Sequence, residues 1–107
     1  MKQYKLLIFG KGGHGAEPHM AIDSTIIASE FVRKSLKYKN IEIVSVQSGD
    51  AFNVISGKAE IVLKTDNIKV VNKLASSLLI YYGESTSYKI EAVSYTHLRA
   101  HETKANL

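Results

Sequence analysis

Apolar and polar positions along this chain switch between two spacings, and the switches divide it into six elements. Tyr4 to Gly10 is a short run of aromatic, aliphatic and β-branched residues closed by glycine, a length and boundary that predict a strand. From Asp23, a natural N-cap, apolar residues recur at Ile26, Ile27, Ala28, Phe31, Val32 and Leu36, predicting a helix that ends near Tyr38. Ile41 to Gln47 is again β-rich. Ala59, Ile61 and Leu63 then alternate with Glu60, Val62 and Lys64 over Ala59 to Thr65, so two strands are expected, joined by Ser48 to Gly57. Asn67 to Tyr82 returns to helical spacing through Ile68, Val71, Leu74, Ala75, Leu78 and Leu79, with Gly83 as its stop. Thr86 to Val93 alternates once more and is the fourth strand.

Strand, helix, strand, strand, helix, strand is the split βαβ order of an α+β, ferredoxin-like domain, βαββαβ, with two helices on one face of a four-stranded antiparallel sheet. Its spatial order should be 4-1-3-2. The second strand is then an edge, and Ile41 to Gln47 carries few of the charges that normally discourage pairing with another chain. A homodimer through this edge and the first helix is expected. Residues 1–93 are read as the domain. Residues 94–107 are polar, show no apolar face and read as an appended tail, a candidate non-native segment of the kind that recurs on truncated reading frames. Within the tail, His97 and His101 stand four apart, as metal-binding pairs on helices do, but without a third ligand a solvated terminus is the simpler reading.

Composition narrows the function classes. The 107 residues, 45% hydrophobic and 22% charged, have room for one sizeable core and no second domain. Fourteen Lys and Arg against ten Asp and Glu leave a net charge of +4, scattered rather than clustered, short of a nucleic-acid signature. Arg33, Lys34, Lys37 and Lys39 are the densest group, and at a helix C-terminus cations complement the helix dipole. No cysteine is present, which removes disulfide and thiol chemistry and suits a reducing compartment. The apolar stretch Leu6 to Phe9 is too short for a signal peptide or a membrane span. The expectation is a cytoplasmic protein with neither membrane nor nucleic acid as partner.

Chemistry concentrates in the two long loops. In Gly12-Gly13-His14-Gly15-Ala16-Glu17-Pro18-His19, glycines flank His14 and allow a sharp turn that presents the imidazole without crowding. A ring so placed can donate to a developing oxyanion, but from spacing alone a solvated loop histidine is the simpler reading. Asn53, in the second loop, reads from the residues alone as a turn-forming residue bonded to its own backbone.

The segment Gly10-Lys11-Gly12-Gly13-His14-Gly15-Ala16-Glu17-Pro18-His19 leading into Ala21-Ile22-Asp23, followed in order by Gly49-Asp50-Ala51-Phe52-Asn53-Val54-Ile55, resembles the dimerisation or lid domain of the zinc-dependent peptidase family M-twenty. The resemblance runs from about Tyr4 to Val93, is strongest to the amidohydrolase branch, and agrees with the element order derived above. It implies that His14 reaches across a dimer into the other subunit's active site, where it binds the substrate carbonyl and stabilises the tetrahedral intermediate. It further implies that Asn53 belongs to the same substrate-facing surface, with His19 and Gly13 as lesser contributors. Ser56 departs from the pattern, standing where a proline usually follows the Asn-Val-Ile run.

The resemblance also implies what such an enzyme needs and this sequence lacks. The family's catalytic domain holds two zinc or similar divalent ions through a His-x-Asp motif, a Glu-Glu pair and further ligands, and neither motif occurs here. No cofactor is therefore expected in this chain, which alone should be inactive, a fragment of an enzyme that hydrolyses N-acyl amino acids or peptide-like amides. The competing classes are a free-standing ferredoxin-like module for RNA or a small ligand, and a purely structural dimer. Against RNA, the strand Ala59 to Thr65 has no aromatic on which a base could stack.

Overall fold

The computed structural model of the protein describes residues 1–10, 23–48, 57–83 and 85–93. Six elements follow in order: β1 (Lys2–Phe9), α1 (Ser24–Ser35), β2 (Ile41–Ser48), β3 (Lys58–Thr65), α2 (Ile68–Tyr82) and β4 (Ser87–Ala92). The strands form one sheet in the order β2-β3-β1-β4, the expected 4-1-3-2 read from its other side, and every pairing is antiparallel.

The alternation in β3 sets the register. Ala59, Ile61 and Leu63 are buried, with Leu6 and Ile8 opposite Ile61 and Ala59 across the β1 ladder. Both helices cover this face: Ile27, Ala28 and Phe31 from α1 and Val71, Leu74, Ala75, Leu78 and Leu79 from α2 complete one core with the strand residues. β1 is interior, so its apolar run is continuous. Leu7, on the opposite face between Glu60 and Lys89 in register, is still only 8% exposed. Its neighbours are long amphipathic side chains, whose aliphatic stems can cover apolar surface while their charges stay in water.

Local chemistry fixes the ends of the elements. Asp23 caps α1 by accepting from the Thr25 N–H at 2.9 Å, and Asn67 caps α2 by accepting from the Lys69 N–H at 3.2 Å. Gly83 closes α2 at φ +103, and its N–H donates to the Leu79 carbonyl. Thr65, 1% exposed, joins two turns: its hydroxyl donates to the Asn40 carbonyl at 2.6 Å and accepts from the Asn67 N–H at 3.0 Å.

Two expectations about α1 are corrected. The helix stops at Ser35 rather than near Tyr38, because the N–H groups of Lys37 and Tyr38 turn back to the carbonyls three residues earlier, Lys34 and Ser35. Ile26 and Leu36, assigned to the apolar stripe, are 55% and 78% exposed. At about 100° per residue the buried face is centred on Ser24, Ile27, Ala28, Phe31 and Ser35, which puts Ile26 on the outward side. The strand β2 also carries a bulge: Ile43 pairs with Leu63 and Ser45 with Val62, leaving Val44 without a counterpart in β3.

Candidate functional site

The two glycine-containing loops spring from the same end of the sheet, and hydrogen bonds tie their roots together crosswise. The first runs from Gly10, after β1, to Asp23, before α1; the second runs from Ser48, the end of β2, to Gly57, before β3. The Gly10 N–H, at the start of the first, donates to the Gly57 carbonyl, at the end of the second, at 2.9 Å. In the first turn of α1, just past the end of the first loop, the Thr25 hydroxyl donates to the Ser48 hydroxyl, at the start of the second, at 3.0 Å. The first of these bonds extends the β1 to β3 ladder beyond Phe9 and Lys58. The second is a side-chain bond between residues 23 apart in sequence.

His14, Gly13 and His19 fall in residues 11–22, and Asn53 and Ser56 fall in residues 49–56, so each of these predicted site residues lies outside the described residues. The roots on either side of them are described, and both loops therefore start and finish against one edge of the domain. Thr25 and Ser48 escape the sequence reading, where Thr25 is simply the second residue after a helix cap and Ser48 the first residue of a loop. No local pattern pairs residues at such a separation.

A second candidate surface adjoins the roots. β2 pairs with β3 on one side and has no other strand beside it among the described residues. Along it Val44 and Val46 are 48% and 46% exposed, and Glu42 is its only charged residue. The first turn of α1, tied to the end of β2 through Thr25 and Ser48, adds the outward-facing Ile26. Burying side chains about half exposed would contribute on the order of 1 kcal/mol each.

Electrostatics on α1 are local. Arg33 donates to Glu30 at 2.7 Å, and that hydrogen bond, with the field of the guanidinium, holds the Glu30 carboxyl below its ordinary range and raises Arg33. Among the described residues no three His, Cys, Asp or Glu side chains converge, so nothing within them fits a metal ion. No described helix is long and apolar enough to cross a membrane.

Comparison with known proteins supplies the family. The chain is 33% identical over 70 residues to a Bacillus subtilis (strain 168) protein, YhaA, whose name assigns it to the amidohydrolases as a candidate member; the match covers 56% of this chain and 18% of that protein. Among solved structures it superposes on a candidate aminohydrolase from methicillin-resistant Staphylococcus aureus with a TM-score of 0.64 and 27% identity, covering 84% of this chain and 29% of that one. It superposes equally well, at 12% identity, on an aminobenzoyl-glutamate utilization protein from Klebsiella pneumoniae, covering 85% of this chain and 27% of that one, a likeness of fold alone. The chain thus spans less than a third of the length of each of these proteins. The family model of the peptidase dimerisation domain matches residues 1–74, and the chain belongs to that family.

Proposed function

We propose that this chain is the dimerising and substrate-capping module of a metal-dependent amide hydrolase, acting on N-acyl amino acids or peptide-like amides. The observation that carries the reading is the cross-bonded root of the two loops, which brings the ends of the His14 loop and the Asn53 loop to one end of the sheet. In this reading two copies associate through β2 and the first turn of α1, and His14 of one copy donates to the substrate carbonyl oxygen in the other. Asn53 holds a second substrate oxygen, with His19 and Gly13 shaping the His14 loop. Residues 1–93 form the module and 94–107 an appended tail. The two zinc or similar divalent ions implied by the resemblance belong to a catalytic part of the enzyme. A cytoplasmic location belongs to the same proposal.

The test is the nucleotide sequence on both sides of this reading frame, determined independently and extended outward. Flanks encoding His-x-Asp and Glu-Glu motifs are expected. In the enzyme so reconstructed, His14→Ala should lower kcat by about 10²- to 10³-fold, the loss typical of one oxyanion donor. Start and stop codons directly bounding the 107 residues would overturn the reading in favour of a self-standing dimeric binding module.

A further inference from the structure

A recess lies along the seam between α1 and α2, with a volume of about 460 Å³. That size falls within the range of small-molecule sites, roughly 300 to 1,000 Å³. Its apolar lining comes from Leu74 and Leu78. At the C-terminal end of α2 stand Tyr81 and Tyr82, whose rings meet edge to face with centroids 5.2 Å apart. Tyr81 is 83% exposed and the adjoining Ile80 82%, an unusual amount of open apolar surface for the outer side of a surface helix.

Charge distinguishes the two ends. Glu30, the one carboxylate of the lining among the described residues, is already held by Arg33. Lys34 and Lys73 also line the recess and leave its uncompensated charge positive. Lys73 precedes Tyr82 by nine residues along α2, roughly 13 Å of helix, with Leu74 and Leu78 between them, so a cation and the tyrosine pair stand at opposite ends of an apolar floor. The Tyr82 phenol is pushed up by burial and by the Glu30 charge, so it remains a neutral hydrogen-bond donor.

We infer that this groove binds a small amphipathic carboxylate, with an acyl or aryl body laid over Leu74 and Leu78 and its carboxylate between Lys34 and Lys73. The length of the recess and the sign of its charge select this class: a cation would meet two lysines, and a compact inorganic anion would leave the leucines and tyrosines uncovered. The inference is independent of the loops and of the enzymatic reading above.

Isothermal titration calorimetry of the 107-residue chain with decanoate, below its micelle concentration, tests it. One saturable site with half-saturation at or below about 1 mM is expected, the affinity reachable by a ligand of this size. Decyltrimethylammonium, with the same tail and opposite charge, should give no saturable heat. Lys34→Glu with Lys73→Glu should weaken decanoate binding at least tenfold. Ser77→Trp, at an exposed position in the lining, should abolish it while circular dichroism stays unchanged. Non-saturating heats with decanoate, equal binding of the cationic tail, or undiminished binding by folded Ser77→Trp protein would each overturn the inference.

Discussion

The sheet has two outer strands, and they are built differently. β4 is six residues long, carries Lys89 and Glu91, and these two side chains pair at 3.4 Å. β2 is eight residues long, has one charged residue, and presents Val44 and Val46 half exposed beside a bulge. Short length and charge are how natural sheets discourage pairing at an edge, so β4 is defended and β2 is open. Net charge and composition would not have told the two apart. The asymmetry lies in a few positions, and it marks β2 as the side on which the proposed second copy would add.

The largest effect should come from removing what holds α1 against the β2 half of the sheet. Phe31 is fully buried, and Phe31→Ala should destabilise the fold by about 3 to 5 kcal/mol in urea denaturation, with β2 amides losing hydrogen-exchange protection before those of β4. Next in size, Val44→Lys with Val46→Lys should raise the dimer dissociation constant at least about 100-fold, roughly 2.7 kcal/mol, in sedimentation equilibrium. The helical circular dichroism should persist. A dimer that survives this substitution would locate the interface elsewhere. The converse change, Lys89→Val with Glu91→Val, should open the defended edge and produce concentration-dependent species larger than a dimer.

Smaller effects follow at the margins of the open edge. Ser48→Ala removes the acceptor of the Thr25 hydroxyl and should cost under about 1 kcal/mol, since that bond is exposed. Smallest of all is Glu30. Its lowered carboxyl means that its contribution is complete above the ordinary carboxylate range and is lost as pH falls through that range and below. Glu30→Gln should flatten the acid limb of the stability profile slightly, and high salt should have a similar effect on the unsubstituted protein.

Much of this architecture was readable from spacing because the core demands it. Val71, Leu74, Ala75, Leu78 and Leu79 recur at helical intervals and are all buried, and Ala59, Ile61 and Leu63 alternate because only one face of β3 meets the helices. Asp23 and Gly83 could be placed as a helix start and a helix stop because each satisfies a backbone group within one turn of it. Where the sequence misled, a residue of the right type stood at the wrong angle: Ile26 is as apolar as Ile27 but one step, about 100°, around the helix. The bulge at Val44 left no mark because it is a relation between two strands, and the Thr25 to Ser48 bond likewise joins distant segments. His14, His19, Gly13 and Asn53 were singled out by a resemblance, since a histidine between glycines has no periodicity to betray its role.

The crosswise bonds at the loop roots also bear on how this domain can be diversified. With Gly10 fixed to Gly57 and Thr25 to Ser48, the sheet register is settled before either loop begins. Chain added between such anchors is a closure problem, and each doubling of a flexible loop adds only about 0.6 kcal/mol of entropic cost. Loops of other lengths and contents can therefore be transplanted between Gly10 and Asp23, or between Ser48 and Gly57, onto an unaltered core. The stretches between these anchors are cassettes, and the sheet that holds the anchors a reusable chassis.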